Sequence, residues 1–263
     1  MPQQYNFNLL NLPERTEKPR KTGITMVMDK GISLRQAEDF VSVSADYVDF
    51  VKLGFGTSLV TKNVKEKIKL YKNAGFKVYV GGTLFEAFVV RNKFNDYLKY
   101  IDELGLDSAE VSDGSIELEH EKKCEFIHTL SKNYTVLSEV GSKEEGVIIH
   151  PARWIKMMQS ELEAGSFKVI AEARESGTVG IFHKNGSAHT MLINRIVNKV
   201  KIENIIWETP QKSQQVYFLK LFGCNVNLGN IGVEEVIPLE TLRLGLRGDT
   251  FFTFIPELNK NPI

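Results

Sequence analysis

The chain is short of several features that mark common functions. Only two cysteines occur in 263 residues, Cys124 and Cys224, and they stand alone, outside any zinc-site spacing and any disulfide framework. Both are expected to be reduced and structural. An excess of charge is missing as well, since 33 Lys and Arg balance 33 Asp and Glu and the two signs are interleaved. Without an extended basic face there is nothing to neutralise a nucleic-acid backbone, so a small polar substrate is the expected partner. No segment approaches the ~20 apolar residues that a membrane-spanning helix needs, and the first 12 residues hold no long apolar stretch. No membrane partner is therefore expected, and the protein is expected in the cytoplasm. Linker-like and low-complexity stretches are also absent, so the 263 residues read as one domain, with 1–22 and 251–263 as extensions.

What is present is an alternation. Short β-branched or aromatic runs at 24–29, 47–54, 77–82, 108–114, 134–141, 168–175, 204–210 and 224–230 are separated by longer polar segments. Helical periodicity marks 34–44, 61–74, 94–104, 116–132, 152–164, 190–199 and 213–222. This is the pattern of βα units around a parallel sheet. Gly75, Gly105, Gly165 and Gly223 follow helical segments, where a left-handed cap turns the chain into the next strand. Eight such units with short connections predict an α/β protein folded as a single (β/α)8 TIM barrel.

In a barrel of this kind, reactive groups come from the C-terminal strand ends and the loops beyond them. Asp29, Lys52, Asp113, Glu139, Glu172, Arg174, Glu208, Asn225 and Asn227 fall at those positions. Strand side chains alternate, so Glu172 shares a face with Arg174, and Asn225 with Asn227. One convergent polar pocket is expected.

The segments DKG at 29–31, KLGFGT at 52–57, GGTLFE at 81–86, SDGS at 112–115, EVG at 139–141, RESG at 174–177, PQKSQQ at 210–215 and LRGDT at 246–250 resemble, in this order, those of phosphosulfolactate synthases. The resemblance implies a barrel enzyme that depends on Mg²⁺ and adds sulfite to phosphoenolpyruvate. Its product would be (2R)-phosphosulfolactate, a step toward coenzyme M in methanogens and sulfolactate in some bacteria. Two anions meet in that reaction and a further charge develops, so a cation with oxygen ligands is wanted. One to three of Asp113, Glu139, Glu172 and Glu208 are expected to hold it. Lys52, Arg174 and Lys143 are the candidate cations for sulfite binding or proton delivery, with Asp29 a further catalytic candidate. The resemblance points to Lys143 as the general acid. Many relatives carry a lysine pair in that loop, whereas Ser142 precedes Lys143 here. For the phosphate, the turn with Gly56 and Thr57 competes with Gly229, Asn230, Arg247 and Gly248, and barrels favour the second site. Asn227 and Lys212 complete the expected substrate-binding set.

Each group also has a structural reading. Strand-end acids and lysines often serve as plain ion-pair partners, and Gly81 and Gly82 fit a strand-to-helix turn as well as substrate contact. The five histidines show no ligand spacing tied to a strand end. Ser213 is expected to cap the helix that follows it, with the neighbouring glutamines on the helix surface. Phe85, Phe88, Phe94, Phe251, Phe252 and Phe254 are candidates for the interface of a homo-oligomer. Two other functions are compatible with the scaffold. One is a related barrel enzyme using another phosphoenolpyruvate-like substrate or nucleophile. The other is a non-enzymatic role like that of the heat-stress-associated plant members, which the intact charged strand ends disfavour.

Overall fold

The computed structural model describes residues 5–141, 149–174 and 176–255. All the expected strands form: β1 (Thr25–Asp29), β2 (Phe50–Leu53), β3 (Lys77–Val80), β4 (Ser108–Val111), β5 (Thr135–Val140), β6 (Lys168–Ala171), β7 (Ile205–Glu208) and β8 (Leu228–Gly232). They pair in parallel in the order β3-β2-β1-β8-β7-β6-β5-β4. β3 and β4 lie side by side and close the sheet through side chains rather than a backbone ladder. The Val78 N–H donates to Asp107 Oδ1 at 3.4 Å and the Gly82 N–H to Glu110 Oε1 at 2.6 Å. The result is a nearly closed (β/α)8 barrel.

The helices on its outside are α1 (Leu34–Ser44), α2 (Val64–Asn73), α3 (Gly82–Val89), α4 (Phe94–Glu103), α5 (His120–Ser131), α6 (Pro151–Glu163), α7 (Thr190–Val197), α8 (Lys212–Phe222) and α9 (Val236–Arg243). A capping box of Ser33 and Gln36 starts α1, and Pro151 opens α6 where its missing N–H costs nothing. Among the described residues no helix is long and apolar enough to cross a membrane.

Several expectations need correction. The last strand begins at Leu228 rather than 224, so Asn225 and Asn227 precede it. α8 is capped by Gln211 and not Ser213, and its Gln214 and Gln215 are buried. Gln214 Nε2 donates to the Gly177 carbonyl at 2.7 Å, which ties the loop after β6 to α8. Phe85 is fully buried, with its ring edge-on to Phe94, Tyr97 and Phe126, so it is core and offers no interface. The helices α3 and α9 lacked a sequence signal. α3 is apolar on nearly every side, and α9 carries Pro238, which reads as a breaker but sits in the first turn.

Strand alternation divides the core in two. Val27, Val51, Val78, Val136, Val169 and Trp207 pack outward against the helices. Ile24, Met26, Phe50, Tyr79, Leu137, Ile170 and Ile206 fill the barrel interior. At the end where the strands begin, buried Arg243 donates to the carbonyls of Cys224 and Val226 at 2.6 and 2.8 Å. The N-terminal segment closes this end, with Arg15 Nε 2.8 Å from Glu240 Oε1.

Candidate active site

The site is the next layer of that interior. Two residues beyond Phe50, Leu137, Ile170 and Ile206, on the same strand faces and one pleat closer to the C-terminal ends, stand Lys52, Glu139, Glu172 and Glu208. Glu110 on β4 joins them. A charged layer thus lies directly on an apolar floor, and all five side chains are buried. Lys52 Nζ lies 3.1 Å from Glu110 Oε1 and 3.5 Å from both Glu139 Oε2 and Glu208 Oε1.

Burial alone would lower the Lys52 pKa, but the charges of Glu110, Glu139 and Glu208 outweigh it and hold the ammonium well above its ordinary pKa. Glu208 shows the opposite balance. Burial pushes its carboxyl up, Lys52 opposes this, and the neighbouring Glu139 adds to the rise, which reaches about 7. The Tyr79 phenol beneath is likewise raised well above its usual value by burial and by Glu110.

The layer holds four carboxyl groups and one ammonium, so full ionisation leaves three negative charges in excess. Such an excess in a buried site calls for protons or a cation. Glu139, Glu172 and Glu208 each offer an oxygen, and these atoms lie within 4.8 Å of one another. An oxygen-only donor set of this kind suits a hard divalent cation, and the triad can bind a metal ion. Above it opens a cavity of about 220 Å³ lined by Met28, Lys52, Phe55, Gly81, Thr83, Ser115, Glu139, Glu172, Arg174, Glu208 and Asn230.

The structure brings Lys52, Arg174, Glu139, Glu172, Glu208 and Asn230 together around this cavity. Gly56 and Thr57 belong to the turn Gly54–Leu59, whose Phe55 reaches it. Other candidates lie elsewhere. Asp113 pairs with Lys123 at 2.8 Å and does not join the carboxylate triad. Asp29 is fully buried, its oxygens taken by Lys67 at 2.7 Å, the Tyr71 hydroxyl at 3.0 Å and the N–H groups of Gly31 and Ile32. It braces the turn after β1 and does not face the cavity.

Asn227 is at the opposite end of the barrel, accepting from the Ile24 N–H and donating to the carbonyls of Glu203 and Ile205. Gly229 is a packing glycine, because a Cβ there would come within 2.6 Å of Met26 and 2.9 Å of Ile206. Lys212 and Arg247 share a shallower rim cavity with Glu235, Ile237, Pro238, Thr241 and Leu246, where Lys212 pairs with Asp249 at 2.7 Å. Gly248 is exposed between Arg247 and Asp249. Lys143 and Ser142 lie outside the described residues.

The sequence reading missed Glu110, Tyr79 and Phe55. For Glu110 a signal existed, since it precedes Ser112 by the same two-residue step that relates the interior pairs of the other strands.

Against known proteins, residues 13–249 match the family model for (2R)-phospho-3-sulfolactate synthase (ComA). The phosphosulfolactate synthase of Methanothermobacter thermautotrophicus is 43% identical over 244 residues, covering 90% of this chain and 95% of that protein. The enzyme of the same name from Methanocaldococcus jannaschii is 45% identical over 237 residues, covering 87% and 94%. Among solved structures, fructose-bisphosphate aldolase from Campylobacter jejuni aligns with a TM-score of 0.55 at 12% identity, over 81% of this chain and 72% of that one, a likeness of fold alone. With the family model spanning nearly the whole barrel and the matched segments lying at successive strand ends, the chain belongs to the (2R)-phospho-3-sulfolactate synthase family of enzymes.

Proposed function

We propose that the protein adds sulfite to phosphoenolpyruvate to give (2R)-2-phospho-3-sulfolactate in the cavity over Lys52, with Mg²⁺ on Glu139, Glu172 and Glu208. The observation that carries this reading is the buried layer itself: an ammonium held charged beside a cage of carboxylates, at the floor of a cavity sized for small anions. Bound there, Mg²⁺ would neutralise the charge that builds on the substrate carboxylate.

The residues of the chain do the rest. Lys52 offers a permanent positive charge to an anionic substrate, and Arg174 a second one at the cavity edge. Asn230 in β8 is assigned to the phosphate side of this cavity, and Lys212 at the start of α8, with Arg247 and Gly248 beyond α9, to the neighbouring rim, close to the β7 and β8 ends where barrels commonly bind phosphate. The sulfur lone pair of sulfite forms the C–S bond at the methylene carbon, the displaced electron pair moves toward the carboxylate, and Lys143 delivers a proton to the phosphate-bearing carbon.

Incubating the purified protein with phosphoenolpyruvate, sulfite and Mg²⁺ tests this, with mass spectrometry reading the phosphosulfonate product. Its absence at saturating substrate would reject the reaction.

A further inference from the structure

The turn between β2 and α2 breaks a rule of local backbone preference. Phe55 has φ 55° and ψ 25°, and Gly56 has φ 68° and ψ 16°. These are the two central angles of a type I′ turn, in which both residues are left-handed and the first is ordinarily Asn, Asp or Gly. A phenylalanine gains nothing there from the backbone, since its Cβ crowds the following carbonyl. It gains little from packing, because 50% of the residue is exposed.

The location supplies what packing does not. Among the described non-glycine residues, six have positive φ: Asn11, Phe55, Asn63, Asn92, Arg174 and Asn230. Asparagine tolerates this conformation; phenylalanine and arginine do not. Phe55, Arg174 and Asn230 all line the same cavity over Lys52, so both residues for which the conformation is costly are at its edge. Strain of this type persists where a side chain must be aimed at a ligand.

We propose that Phe55 is a specificity-determining wall of the substrate cavity, aimed over the buried Lys52 layer by the left-handed turn at a cost to stability. This rests on the reaction proposed above. The ring stands in the cavity wall that Lys52 and Arg174 also line, where it excludes water from the substrate and strengthens the attraction of those two cations for an anion.

The test compares wild type with Phe55→Asn and Phe55→Leu, with Asn92→Gly as a control for a left-handed position outside the cavity. Asparagine suits the turn, so Phe55→Asn is expected to melt at the wild-type temperature or a few degrees higher. At the same time its KM for phosphoenolpyruvate is expected to rise about tenfold or more, with Phe55→Leu falling between and Asn92→Gly at the wild-type value. A lowered melting temperature together with unchanged KM would make Phe55 a structural residue and overturn the proposal. Wild-type kinetics in both Phe55 variants would do the same. A wild type that forms no product and is not stabilised by phosphoenolpyruvate would instead overturn the reaction, and the role of the ring with it.

Discussion

Glu208 sits under two opposing demands. Lys52 and the Ala173 N–H favour its charged form, while burial and the neighbouring carboxylates favour the neutral one, and the outcome is a pKa pushed up to about 7. A carboxyl must be ionised to ligate Mg²⁺, so binding expels the proton and becomes tighter as the pH rises through about 7. Calorimetry at pH 6 and pH 8 should show affinity rising about tenfold, with a proton released at the lower pH. Equal affinity at the two values would remove Glu208 from the ligand set. Lys143 is tested differently. As general acid it should account for ~10²- to 10⁴-fold of turnover, so Lys143→Ala is expected to bind phosphoenolpyruvate and Mg²⁺ yet turn over slowly. Lys143→Arg should be slow as well, because a guanidinium does not give up its proton. Single-turnover rates decide this, and an active arginine variant would make the side chain a fixed charge.

Between elements, the seam of β3 and β4 matters most for the site. Gly82, the first residue of α3, passes so close to β4 that a Cβ would lie 2.3 Å from Ser112 Oγ and 2.9 Å from Glu110 Oε1. Gly82→Ala therefore pushes on the partner nearest to Lys52. An overpacked position of this kind costs about 1–3 kcal/mol, read as a drop of several degrees in thermal melting, and kcat should fall along with it. A stable and fully active variant would show that the seam does not position the site. Element order was legible because most strands carry a β-branched run, as in VYV at 78–80 and VIA at 169–171. Glu172 and Glu208 were legible for the same reason, standing at the ends of such runs, and Glu139 lies one residue before the end of β5. Asn227 and Gly229 were misplaced because the glycine- and asparagine-rich stretch 223–232 gives no period from which to fix the start of β8. The bracing of Asp29 by Lys67 and Tyr71 joins residues about forty positions apart, which no local pattern records.

In the whole molecule, the two ends of the barrel divide stability from chemistry. The end where the strands begin is sealed by Arg15, Glu240 and Arg243, with the Arg15 and Glu240 side chains 1% and 5% exposed. Removing one partner of such a buried pair costs about 3–5 kcal/mol. Arg15→Met should accordingly lower the denaturant midpoint strongly while leaving the KM for phosphoenolpyruvate unchanged, and a raised KM would mean that the two ends are coupled. At the other end, the buried carboxylates and Lys52 are assigned to carbon–sulfur bond formation. Carbon-13 NMR of phosphoenolpyruvate labelled at the methylene carbon, incubated with sulfite, Mg²⁺ and the protein, tests that assignment most directly. The olefinic signal is expected to give way to that of a saturated carbon bearing a sulfonate, only when Mg²⁺ is present, and not with Lys52→Met. An olefinic signal that persists, or label that appears in pyruvate, would contradict it.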